Sequence, residues 1–110
     1  MSNEIITRKT TANAASLVVS SNPCIFRGMS GYSANAAEQY IQIHDSASLP
    51  ANGSVPAITF DADPTSDFGL ELFTGAKFAT GIVICNSSTQ ATLTLGSADC
   101  WFNVQVEPIK

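Results

Sequence analysis

Apolar and polar residues alternate along much of this chain. Residues 39–45 read QYIQIHD, which puts Ile41 and Ile43 on one face of an extended strand and Tyr40, Gln42 and His44 on the other. The same period of two recurs in FGLELF (68–73), ATLTL (91–95) and WFNVQVE (101–107), whereas GIVIC (81–85) is apolar at nearly every position, as a strand covered on both faces would be. Residues 77–107 therefore predict three consecutive antiparallel strands, a β-meander on which the earlier strands pack. Those earlier strands are predicted over SLVVS (16–20), CIFRGMSGYSA (24–34), QYIQIHD and VPAITF (55–60). Gly28 and Gly31 call for a bulge or bend in the second of these. Asn22-Pro23, Asn52-Gly53 and the acidic DADPTSD stretch punctuate the pattern. About eight short strands at roughly ten-residue spacing, with no helical period, predict an all-β domain: a single antiparallel β-sandwich or jelly roll. Residues 1–11 read as an N-terminal arm able to add an edge strand, and residues 12–110 as the sandwich domain.

Length and charge narrow the function classes. A chain of 110 residues supports one hydrophobic core. Charged residues make up only 13%, well under the usual quarter, so alanine, serine, threonine and asparagine must form the surface. Such a surface suits packing against many identical neighbours. A net charge of −4 with scattered basic residues argues against nucleic-acid binding, which needs clustered lysine and arginine. No apolar run approaches the roughly 18 residues of a membrane-spanning helix. The start, MSNEIITRKTT, lacks the apolar stretch of a secretory signal, so a protein made and kept in the cytoplasm is expected unless it leaves within a larger particle.

Candidate chemistry is sparse. His44 and Asp45 are adjacent, but neighbours on a strand face opposite ways, and no G-x-S-x-G motif accompanies them; a surface histidine is expected. Asp61, Asp63 and Asp67 cluster in one loop, but Ser66 stands where a calcium loop needs glycine, so a solvated turn is expected and neither metal nor cofactor. Cys24, Cys85 and Cys100 have no metal-ligand spacing. Without a secretory signal they read as buried thiols, with a disulfide or an inter-subunit bridge as the alternative; Cys85 and Cys100 fall on adjacent strands of the predicted meander and would face each other. Tyr32, Tyr40 and Trp101 occupy outward positions and are candidates for an interface or a sugar-binding platform. Ile5 and Ile6 are the corresponding candidates in the arm.

Two segments carry a family resemblance. QYIQIHDSASLPANGSVPAITF (39–60) and FATGIVICNSSTQATLTLGSADCWFNVQV (78–106) resemble a group of small tailed-bacteriophage proteins with QY-x-Q-x-x-D…LP-x-x-G-x-x-P and ATLT-x-G-x-x-D-C-W-F runs. The likeness covers about half of the chain. It implies a non-enzymatic virion structural protein, first a capsid decoration or cement protein on the outer capsid surface, second a tail or head–tail component. The implied partners are the major capsid protein and copies of the chain itself, and the implied location is the virion. A carbohydrate-binding module displayed on the particle is the rival from another class; it requires Trp101, Tyr40 or Tyr32 to share one groove.

Overall fold

Strands form where the alternation is cleanest, and they pair in nested order. The computed structural model describes residues 4–109 of the chain. Its strands are β1 (Ile6–Lys9), β2 (Ser16–Ser20), β3 (Cys24–Ser33), β4 (Gln39–Asp45), β5 (Ile58–Ala62), β6 (Ser66–Phe78), β7 (Ile82–Ser87) and β8 (Cys100–Pro108). β4 pairs with β5, β3 with β6, β2 with β7 and β1 with β8, all antiparallel. This is one long hairpin. Rolled on itself, it gains the β3–β8 and β4–β7 ladders and closes into two four-stranded sheets, ordered β1-β8-β3-β6 and β2-β7-β4-β5. Two packed antiparallel sheets wound in this way are a jelly roll, as the strand pattern predicts. Among the described residues no helix is long and apolar enough to cross a membrane.

The core lies between the sheets and is built from the apolar half of each alternating run. Ile41, Ile43, Ile82 and Ile84 face Phe26, Phe102, Val104 and Val106 across it, all fully or almost fully buried. Phe68 links the layers, with its ring 5.9 Å from that of Phe60 and 6.2 Å from that of Phe102. Gly31 is glycine because of this packing. A Cβ there would sit 2.1 Å from the Trp101 carbonyl oxygen and 2.5 Å from the Phe68 ring.

The predicted meander does not form. β7 and β8 belong to different sheets, and ATLTL is not a strand; only an isolated bridge joins Leu95 to Ser87. Consecutive strands usually pair, but in a rolled hairpin most partners are distant in sequence. The residues between β7 and β8 are needed to cross from one layer to the other. β6 also differs from expectation. Phe68–Phe73 and the turn after it form one strand, and the ladder to β3 jumps from Gly28↔Glu71 to Phe26↔Ala76. Residues 72–75 thus bulge out opposite Arg27 alone, and Gly75 supplies the left-handed φ of +76° that closes the bulge.

Residues 6–10 of the predicted arm are tied into the sandwich. β1 is the edge strand beside β8, and Thr10 continues the pairing: its N–H donates to the Phe102 carbonyl and its Oγ1 accepts the Phe102 N–H at 3.1 Å. Arg8 and Lys9 on this edge are exposed, and charge on an edge strand discourages unwanted pairing. Residues 1–3 of the arm lie outside the described residues.

Candidate functional site

The two sheets differ in what covers their outer faces. On sheet β2-β7-β4-β5 the outward row of β4 is roofed by two loops, residues 49–55 and 88–96. Leu93 exchanges backbone hydrogen bonds with Gly53 and Ser54 at 2.7 and 2.8 Å, and the Leu95 N–H donates to Asn52 Oδ1 at 3.0 Å. The ATLTL alternation finds its use here, since Leu93 points down onto Val83 and Cys85 and forms a second, smaller apolar cluster. Gln42 anchors the roof. Its Nε2 donates to the carbonyls of Thr89, Gln90 and Thr92 at 2.9, 3.1 and 3.1 Å. Three acceptors around one end of the amide identify that end as the NH2 group, so Oε1 faces His44 and accepts its Nε2–H at 2.9 Å.

His44 is therefore not a surface residue. It is 3% exposed, and burial lowers its pKa from the ordinary histidine value, which favours the neutral ring that donates to Gln42. Adjacency places Asp45 on the other side of the strand, where its carboxylate accepts the backbone N–H groups of Ala79, Thr80 and Gly81. Histidine and aspartate thus have separate structural tasks. Tyr40, half-buried on the same roofed face, is separated from Tyr32 and Trp101 by the thickness of the sandwich.

The cysteines are all free and buried. Cys24 and Cys100 lie in the main core, and Cys85 lies beneath the roof. The expectation that Cys85 and Cys100 face each other on adjacent strands is corrected, since the strands that carry them are in opposite sheets. Burial raises the pKa of all three, to about 12 for Cys85 and about 11 for Cys100; Ser33 offsets part of the effect at Cys100 by a hydrogen bond. At neutral pH the Cys85 and Cys100 thiols are ionised on the order of one part in 10,000 or less. Native protein should resist a thiol reagent such as DTNB, then release three equivalents once unfolded in guanidinium without reductant. Fewer than three, or a covalent dimer on a non-reducing gel, would contradict buried free thiols.

Among the described residues, nothing roofs sheet β1-β8-β3-β6 in this way. Its outer face carries Trp101, Asn103, Gln105 and Glu107 from β8, Arg27, Ser30 and Tyr32 from β3, and Asp67, Gly69 and Glu71 from β6. Trp101 and Tyr32 are direct cross-strand partners, 42% and 38% exposed, and both line a depression of about 420 Å³. A second hollow, of about 550 Å³, lies farther along, lined by Gly28, Gly69, Ile5 and Leu70. Ile5 is 58% exposed there, whereas Ile6 turns toward the sandwich edge and lines a crevice with Val19 and Val106. Arg27 closes the far end of the face, its Nε and Nη2 donating to Glu107 Oε1 at 2.9 and 2.5 Å.

One residue on this side escaped sequence reasoning. Phe73, on the bulge of edge strand β6, is 104% exposed, more than any other large apolar side chain described. The signal was present: alternation put Phe73 with Gly69 and Glu71 on the outward side, an unusual position for phenylalanine. The acidic turn gives no metal site, and among the described residues no three histidine, cysteine or acidic side chains are placed to hold a metal ion.

Fold and site together define an antiparallel jelly-roll domain with one sheet roofed by its own loops and the other left bare by the described residues. By structure, the chain is similar to the coat protein of Tobacco streak virus, with a TM-score of 0.46 and 12% identity over 98% of this chain and 90% of that chain. No family model and no curated protein matches the sequence.

Proposed function

We propose that this chain is a non-enzymatic virion structural protein, a capsid decoration or cement protein that binds the outer surface of a phage capsid and stabilises it. The observation that carries this reading is Phe73, fully exposed on an edge-strand bulge beside a sheet face that the described residues leave uncovered. A large aromatic has only two side-chain torsions to fix when it is seated, which makes it an efficient anchor in a partner's pocket. The half-chain resemblance to small tailed-phage proteins supplies the partner: the major capsid protein, with neighbouring copies of the chain alongside. Backbone groups on the β6 edge add a second means of attachment, by strand addition.

The test is co-sedimentation of purified protein with capsids and with isolated tails of the encoding phage. Phe73→Ser should weaken capsid binding by about tenfold or more. It should leave stability within about 0.5 kcal/mol of the parent, because the side chain is fully exposed. Binding to capsids at a stoichiometry near that of the major capsid subunit supports decoration. Binding to tails alone, or a few copies per particle, would replace it with a head–tail or tail role. Capsid binding unchanged by Phe73→Ser would remove Phe73 as the anchor.

A further inference from the structure

We propose that the depression at the Trp101 end of the bare sheet is a binding site for a neutral saccharide, separate from the Phe73 bulge. Two rows of residues cross the strands here. Trp101, Tyr32 and Asp67 are consecutive partners on β8, β3 and β6, and Asn103, Ser30 and Gly69 form the next row on the same face. The first row offers two exposed aromatic rings at the rim of a hollow of about 420 Å³. In the second row the side chains shrink, down to none at Gly69, which leaves room beside the rings.

The polar groups specify the ligand. The Trp101 indole N–H, the Tyr32 hydroxyl, the Asp67 carboxylate, the Asn103 amide and the Ser30 hydroxyl have no hydrogen-bond partner among the described residues. They comprise donors and acceptors, and rigid strands hold them around one hollow. A pyranose has the complementary chemistry: an apolar C–H face to lie on an aromatic ring and a hydroxyl on nearly every carbon to meet such groups. A purely apolar ligand would use the rings and leave this polar set unmatched. Among the described residues no lysine or arginine lines the hollow, and Asp67 adds a negative charge. Phosphorylated, sulfated, sialylated and nucleic-acid ligands are therefore disfavoured, which makes the saccharide neutral. Tyr40, the third aromatic candidate, has no part in the site.

Trp101 is the chain's only tryptophan, so its emission reports on this site directly. Intact protein would be screened on an array of neutral and acidic glycans, and hits titrated by fluorescence and by ligand-observed NMR. The expected result is saturable binding of one or more neutral glycans with a change in tryptophan emission. Trp101→Ala should weaken that binding by about tenfold, the loss of one stacking contact, and Asn103→Ala by severalfold, with melting temperatures close to the parent. If Trp101→Ala does not fold, Asn103→Ala and Asp67→Asn still probe the hollow. No saturable neutral glycan, preference for acidic glycans, or affinity indifferent to these substitutions would overturn the proposal. Capsid co-sedimentation of the same variants should be unchanged, which keeps this site separate from the decoration reading.

Discussion

Replacing Gln42 by leucine should lower the unfolding free energy by about 3–5 kcal/mol, although leucine fits the volume and the position is fully buried. Hydrogen bonding dominates this effect. Gln42 Nε2 is shared among the Thr89, Gln90 and Thr92 carbonyls, and Oε1 takes the His44 Nε2–H. Leucine would leave the buried His44 donor and at least part of the carbonyl set unpaired, each at a cost of about 1–3 kcal/mol. The melting temperature should fall by on the order of 15 °C. Hydrogen exchange should accelerate first at the Leu93 and Leu95 amides, which donate to Ser54 and Asn52 across the roof. A melting temperature within about 3 °C of the parent would mean that the amide is not the anchor of the roof.

Phe102→Ala should destabilise the domain by a comparable amount, about 3–5 kcal/mol, by a different route. Phe102 is fully buried near the start of β8, and its ring lies 6.2 Å from that of Phe68. Truncation leaves a cavity that cannot easily collapse, because the backbone on either side is held in the β1–β8 and β3–β8 ladders. In urea the midpoint should drop while the m-value stays near that of the parent, the mark of lost packing with no change in the unfolded state. A loss below about 1 kcal/mol would show that Phe68 swings into the space. The same chemical deletion at Phe73 should cost almost nothing, so the pair separates a core phenylalanine from a fully exposed one.

Much of the architecture was legible in the alternation. Gln39–Asp45 forms the strand its pattern indicates, with Ile41 and Ile43 fully buried, and the Phe102, Val104 and Val106 row enters the core as read. The bulge suggested by Gly28 is present where the β3 ladders shift. Failures cluster where partner choice mattered. Strand propensity says that a segment pairs, but not with which strand, so β7, ATLTL and β8 read as one local meander when β7 and β8 each pair with strands far away in sequence. The site was half legible: Trp101 and Tyr32 do share a hollow, while Tyr40 belongs to the other sheet.

The sequence by itself determined the fold class and, strand by strand, which side chains point inward, because a period of two is a local property of an extended backbone. It also determined the low surface charge. Only the tertiary structure decided what the outward residues do. Tyr40, Gln42 and His44 on one strand and Trp101, Asn103 and Gln105 on another look alike as outward rows. The first is covered by loops brought from elsewhere in the chain, which buries a glutamine and a histidine as a hydrogen-bonded pair. The second is left bare, with two aromatic rings beside a hollow and Phe73 on the edge beyond. Burial of an outward face depends on what crosses above it, and that is a property of the rolled hairpin as a whole.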